Sequence, residues 1–504
     1  MGRVLTFITI FILILDNVVG YSQTECNCDF KKLKHNDINK NLSSKDIKED
    51  INQFIKIFEE VHPTPYLFIS REQFQTKVDE LSNKSENMTR VEFWMAFRKL
   101  TAALGFQDLK IASLNEETEI AISQKKKFFP YRVILNKNNQ LEVNGNFYES
   151  PKDCLQNGTI ISKINGKNAD SLYRAYMEYK GGPEFYKKQN TTNWFQYLLY
   201  LDGIFDSINL ELVDGKKLTI EGYMDKNPQK WGIMQKSTEN INNKELINSI
   251  KPPEDYINFR YIENVAYLRF NSLDGLINPT SLNRLVDQVF EEIKKKKTEK
   301  LILDFRDYEG KDATMSHLIQ KIAKSPFKTF SGLKWKISPT YIKSLKRNWS
   351  FPKRLLPIKF LNSSFKNVKK ISGETNMYFV KNRKEIQALP SSDRFNGQVV
   401  CLINEGTTSF ACTYSAVIKD YQFGLLLGSK TGSYPNNFSR AAAFQLKNSL
   451  VKFSVPSALQ IRHNSNRTEL SYLFPNGAVE DSSYSNEIST DKTIIEALNL
   501  LKRF

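Results

Sequence analysis

An α/β fold in the second half of the chain is what the sequence predicts, and three observations predict it. From residue 257 onward, short apolar runs alternate with amphipathic segments: "VAYLRF", "PTSLNRLVDQVFEEIKKKK", "KLILDF", "ATMSHLIQKIA", "GQVVCLIN", "SFACTYSAVIKDY", "GLLLGS". The apolar runs are nearly continuous, as expected of strands covered on both faces, and alternation with helices implies a largely parallel sheet. Third, "VVCLINEGTTSFACTYSAVI" reads as a strand that hands over to a helix through a polar turn at residues 404–409. In parallel sheets, ligand sites gather at such carboxyl ends.

The elements before that core follow in order. Residues 44–104 predict helices: "SSKDIKEDINQFIKIFEEVH" places Ile47, Ile51, Phe54, Ile55 and Phe58 on one face behind Ser43 and Ser44 as caps. "SREQFQTKVDELSN" and "TRVEFWMAFRKLTAALG" repeat the pattern, each with a hydroxyl residue and an early acid, and Gly105 stops the last one. From about residue 120 the period shortens. "FPYRVILN", "QLEVNG" and "GTIISKING" read as strands, with Asn-Gly turns at 144–145 and 165–166. "NADSLYRAYMEYKGG" is a helix closed by glycines, and "INLELVDGKKLTIEGY" is a hairpin around Asp214-Gly215. These segments define a β-rich module at 118–225, between a helical region at 23–115 and a polar, Lys/Asn-rich linker at 226–256. The core occupies 257–504.

The chain opens with a different kind of segment. Arg3 precedes an apolar stretch, Val4–Leu15, and Gly20 and Ser22 make a small-x-small pair. That pattern is a secretory signal over residues 1–22, with cleavage after Ser22 and localisation in a periplasm or outside the cell. The apolar stretch is shorter than the ~20 residues a membrane span needs, so no integral membrane segment is expected. The formal net charge of +17 is spread along the sequence, and no aromatic-plus-basic recognition motif accompanies it, so nucleic acid is not an expected partner. Five cysteines in 504 residues are no disulfide scaffold. Cys401 and Cys412 read as buried small hydrophobes. Cys26 and Cys28 have no His or Cys partners at ligand spacing, and no metal or cofactor is expected.

Ser409 sits where the strand passes into the helix. Two roles fit that place. A serine there can cap the helix, with Thr407 and Thr408 sharing the task. It can also be a nucleophile, because the helix N-terminus presents backbone N–H groups able to hold the oxyanion of an acyl-transfer intermediate. Spacing alone leaves both open.

"KLILDFRDYEG", followed about a hundred residues later by "VVCLINEGTTSFACTYSAVIKDYQFGLLLGSKTGSYPNNF", resembles the tail-specific (C-terminal processing) serine peptidases. That family carries a strand ending Asp-x-Arg-x-Asn-x-Gly-Gly, then a Thr-Ser with the nucleophile at a helix start, then a strand ending Gly-Glu-x-Thr-x-Gly. Asp304, Arg306 and Gly310 match the first motif, Ser409 the nucleophile, and Gly428 and Thr431 the last. "NGTIISKINGKNADSLYRAYMEY" is similar to the family's PDZ-like module, and "HPTPYLFISREQF" and "RKLTAALG" resemble the helical leader of its export-type, tricorn-like branch. The resemblance implies a multidomain α/β protein: a ClpP/crotonase-like peptidase core preceded by a helical leader and a PDZ-like module. It implies a serine-type endopeptidase with peptide or protein substrates, Ser409 as nucleophile, and the N–H groups of Phe410 and Gly310 as oxyanion donors.

The departures fall on the base. One branch places a Lys after the Gly-x-Thr motif, where this chain has Tyr434. The other places a His in Gly-Asp-Gly-His-Thr after the leader, where "GFQDLKI" offers Asp108. The oxyanion segment "RDYEGK" also adds Tyr308 and Lys311. A serine needs a nearby base, and a carboxylate at its reference pKa is weaker than His by about two to three units. Asp108 is the expected base, with Lys110 and Lys430 as other candidates. Among the histidines His35, His62, His317 and His463, only His62 lies in a family-like stretch, where it reads as structural. Glu469 and Glu480 are candidates for a late orienting carboxylate. If the base is lost, the alternative is a weakened homologue that binds peptides or proteins. A third possibility is an envelope structural protein.

Overall fold

The computed structural model describes residues 30, 31, 33, 41–84, 87–146, 155–223, 257–271, 279–310, 312–347, 351–357, 365, 368–382, 384–463, 470–480 and 487–503. The signal segment, Cys26, Cys28, His35, the linker, Lys311 and Glu469 lie outside the described residues.

The leader is helical, as expected: α1 (Ser44–Val61), α2 (Arg71–Lys84) and α3 (Arg90–Ala102). Both α1 and α3 open with reciprocal capping boxes. Ser43 Oγ accepts from Asp46 N at 3.2 Å while Asp46 Oδ2 accepts from Ser43 N at 3.0 Å, and Thr89 and Glu92 repeat the pair. Gly105 follows α3 at φ +79°, a conformation costly for any residue with a Cβ. After it come β1 (Lys110–Ile111) and α4 (Asn115–Ser123).

The module is a twisted antiparallel sheet in the order β2-β3-β4-β6-β7: β2 (Tyr131–Leu135), β3 (Leu141–Asn146), β4 (Ile160–Ile164), β6 (Ser207–Leu212) and β7 (Lys217–Glu221). The short β5 (Lys167–Asn168) pairs with β4. Asn165 and Gly166 turn at positive φ, as expected, but Asn144 and Gly145 lie inside β3, because the strand continues through them to pair with Tyr131 at Asn146. Two helices cover the sheet, α5 (Ala169–Met177) and α6 (Glu184–Leu201).

The core splits into two sheets. The first matches the sequence reading: β9 (Val265–Phe270), β10 (Lys300–Asp304), β14 (Gln398–Ile403), β15 (Leu425–Gly428) and β18 (Gly477–Ala478) run parallel, and β8 (Ile257–Ile262) adds an antiparallel edge. Successive side chains leave opposite faces. Leu301 and Leu303 pack with α7 (Pro279–Lys295), α8 (Asp312–Gln320) and α10 (Ser409–Asp420), while Ile302 packs with α11 (Lys492–Lys502). The second sheet is antiparallel: β11 (Gly332–Lys336), β12 (Lys369–Lys370), β13 (Met377–Lys381), β16 (Asn437–Gln445) and β17 (Lys452–Ile461), with helix α9 (Pro339–Lys346) after β11. Its edge is completed by β1 from the leader, Lys110 opposite Ser454 and Ile111 opposite Phe453. Leader, module and second sheet share one continuous apolar core, in which Phe54, Phe97 and Phe444 pack around Phe453.

Candidate active site

The parallel register sets Asp304 opposite Leu402, so the β10 and β14 chain ends emerge side by side. Hydrogen bonds then join the two turns. Asn404 Oδ1 accepts from Asp307 N at 3.0 Å and from Gly406 N at 2.9 Å, and Thr407 Oγ1 donates to Phe305 O at 2.8 Å. Thr408 N donates to Tyr308 O at 3.0 Å, and Ala411 N donates to Glu309 O at 2.8 Å. Gly406 faces Asp307 so closely that a Cβ would lie 2.3 Å from its Oδ1.

Ser409 is the first residue of α10. Its φ is +49°, a left-handed conformation that costs a non-glycine residue about 1–3 kcal/mol and recurs at functional sites. The residue is exposed, its N–H donates to Ser433 Oγ at 3.0 Å, and its own hydroxyl has no hydrogen bond among the described residues. The capping role is therefore absent: Thr408 occupies the cap position and neither it nor Ser409 makes a side-chain cap bond. Gly310 lies against the same turn at φ +73°, with an added Cβ 3.0 Å from Ala411 N, and Phe410 is half-buried one residue into the helix. The Ala411 N–H is committed to Glu309.

The family-like flanks hold this arrangement. Thr431 Oγ1 donates to Ser433 O at 2.8 Å and accepts from Leu473 N at 3.1 Å, while Cys412 Sγ donates to Ser433 O at 3.2 Å. Burial pushes the Cys412 thiol up to about 11 and Cys401 well above its ordinary range, so both are inert packing residues, as the sequence suggested. Asp304 and Arg306 are structural. Arg306 donates to both Asp304 and Asp491, at 2.7 and 2.9 Å from Nη2, and all three side chains are fully buried. Tyr308 turns into the core and stacks on Phe270 at 5.3 Å, so it does not crowd the oxyanion position.

Asp108 lies in the turn after Gly105, half-buried, where burial pushes its carboxyl up to about 6 against the pull of Lys110, Lys180 and the Phe438 N–H. Lys110 and Tyr186 sense both Asp108 and Glu309, so this turn and the β10 end lie near one another. A run of ring contacts starts at Phe106, in the Asp108 turn. Phe106 packs on Phe68 at 5.0 Å, Phe68 on Tyr434 at 6.1 Å, and Tyr434 on Tyr472 at 4.9 Å. Among the described residues no hydrogen bond joins Asp108 to Ser409. His62 is fully buried against Phe106 and Phe438, where burial pulls its imidazole down to about 3, in keeping with a structural residue. His317 pairs with Asp287 and His463 with Tyr421. Lys430 pairs with Glu405 at 3.5 Å, and Glu480 is exposed beyond β18. Ser433, Phe68 and Glu309 were not legible in advance: each reaches the site across a tertiary contact that no local pattern encodes.

Among the described residues no group of three metal-ligating side chains occurs, and no helix is long and apolar enough to cross a membrane. Residues 264–455 match the model of Peptidase family S41. The fold is similar to that of mature CPAF, with a TM-score of 0.55 at 12% identity over 91% of this chain and 96% of that one. It is also similar to mature CPAF complexed with lactacystin, with a TM-score of 0.57 at 11% identity over 91% and 98%. A photosystem II D1 C-terminal processing protease aligns over 89% of this chain and 97% of its own, at 12% identity and a TM-score of 0.40. No match was found among curated proteins.

Proposed function

From the Peptidase family S41 match at residues 264–455, which bears out the resemblance to the tail-specific peptidases, we propose that the chain is an exported serine endopeptidase acting through an acyl-enzyme on Ser409. The observation that carries the proposal is the strained, exposed Ser409 at the start of α10, its hydroxyl without a hydrogen bond among the described residues, set against Gly310. Its Oγ attacks the substrate carbonyl, and the N–H groups of Phe410 and Gly310 hold the resulting oxyanion. Asp108 takes the hydroxyl proton and returns it to the leaving amine. Water then cleaves the ester, with the same carboxylate as base. Burial supports that role: near 6, Asp108 is only about half a unit below an ordinary His. The module at 118–225 serves as the PDZ-like element that receives extended peptide.

A fluorophosphonate probe tests the nucleophile, and the expected result is single-site labelling at Ser409. The expected pH dependence follows from Asp108. Its base form predominates above about pH 6, so kcat/KM on a peptide substrate falls about tenfold per unit below that pH. Asp108→Asn removes most of the activity, whereas Asp108→His retains it with the acid limb at or just above its original place.

A second reading is favoured by the missing hydrogen bond between Asp108 and Ser409: a weakened homologue that binds peptides in the same cleft. An unlabelled Ser409, together with an Asp108→His variant that stays inactive, replaces the peptidase with this reading.

A further inference from the structure

Behind the Asp108 turn, two cations are buried together. Arg98, on α3, is 5% exposed, and its guanidinium lies 4.7 and 4.6 Å from the ring centroids of Trp94 and Trp194. Its Nε donates to Tyr179 O at 3.3 Å, but its Nη1 is buried without a hydrogen-bond partner. Lys180 is 8% exposed, and its Nζ donates to Leu109 O at 3.5 Å and lies 5.4 Å from the centroid of the Tyr186 ring. Among the described residues no carboxylate lies within 4.0 Å of either head group. Asp108 senses Lys180 electrostatically, yet its carboxylate accepts from Phe438 N–H.

Arg98 and Lys180 line one cavity, together with Thr101, Phe106, Leu109 and Tyr179. It gives the centre of a water-sized sphere about 10 Å³ of room, enough for one water or one monatomic ion and too little for a carboxylate, phosphate or nucleotide. Buried charges require pairing, and each cation here is a like charge to the other. Arginine cannot relieve the repulsion by losing its proton at neutral pH: burial draws it down only to about 10. Lysine can, and burial with Arg98 beside it draws Lys180 down to about 7. A water would satisfy Nη1 and leave the charges opposed. An anion does both.

We propose that this cavity is a binding site for a single halide ion, held by Arg98 and Lys180 behind the turn that carries Asp108. The site lies beside the proposed base, on which Lys180 acts electrostatically, but halide binding itself does not require peptidase activity. The test uses the full-length protein. Thermal unfolding is followed in sodium chloride and sodium bromide against sodium gluconate at constant ionic strength, and crystals grown in bromide are measured at the bromine edge. The expected results are an anomalous peak between Arg98 and Lys180 and a Tm that rises by about 1 °C for each tenfold increase in halide above its Kd. Lys180→Met should remove that halide dependence. Arg98→Met should do the same if it folds, and the bromide peak in the unaltered protein decides the matter without it. Equal Tm values in the three salts, a cavity without anomalous signal, or a halide dependence that survives Lys180→Met would each overturn the proposal.

Discussion

Replacing Ser409 by alanine should abolish peptide hydrolysis, by about 10³-fold or more, and leave the protein about as stable as before. The first half of that expectation rests on the proposed nucleophile. The second rests on geometry: the Ser409 hydroxyl bonds nothing and caps nothing, so its removal takes no interaction away. Alanine inherits the backbone strain unchanged at φ +49°. Ser409→Gly separates strain from chemistry. Glycine adopts positive φ at no steric cost, so this variant should be inactive and yet more stable, by about 1 kcal/mol in a denaturant titration. Activity that persists in both variants would remove Ser409 from the mechanism. A Ser409→Gly variant that is not stabilised would count against a strained elbow.

The second large effect lies away from the cleft. Arg306 is the cation shared by two buried carboxylates, Asp304 at the end of β10 and Asp491 at the N-terminus of α11. Arg306→Met leaves both acids in the interior without it and should cost about 3–5 kcal/mol. Arg306→Lys should not restore the loss, because an ammonium cannot bond two carboxylates with a planar fork. The pH dependence has a definite sign. Burial pushes the Asp304 carboxyl up, but its bonds to Arg306 and the charge of Arg269 outweigh that and hold it below its ordinary range. A depressed acid contributes stability above its unfolded pKa, near 4, and loses it as pH falls through the folded value. The unaltered protein should therefore lose stability below about pH 4, and Arg306→Met should show a flatter acid limb. Equal acid limbs in the two proteins would exclude this cluster as the cause.

The parallel half of the core was legible because its strands are apolar on both faces and its helices carry apolar stripes of their own. β10 and β14 are recognisable in isolation, and so is the turn that presents Ser409. The antiparallel half was not. "NNFSRAAAFQ" becomes β16 only because β17 lies beside it, and its own pattern is mixed: Phe438 and Phe444 are buried while Arg440 sits at φ +57°. α6 escaped for a related reason. "EFYKKQNTTNWFQYLLYL" has no single apolar stripe, because Thr191, Thr192 and Gln196 are buried along with Phe195 and Leu199. At the site, the residue types of Ser409, Gly310 and Asp108 stood out against the family pattern. What could not be read was environment. Sequence shows a carboxylate at position 108, and only the packed turn shows that burial brings it near 6.

The short pairing of β1 with β17 fixes when the cleft can exist. Asp108 stands two residues before Lys110, whose strand partner is Ser454, and its carboxylate is held by the N–H of Phe438. As the polypeptide leaves the ribosome, the helical leader emerges first, followed by the module and then β8, β9, β10, β14 and α10 with Ser409. The turn that carries Asp108 has no template until the last tenth of the chain is being made. A polypeptide grown past residue 409 but not yet to 454 thus carries its serine without the carboxylate in place, and a product truncated before residue 454 should be inert. On the proposed mechanism, the order of folding acts as a timer that withholds activity until the chain is nearly complete.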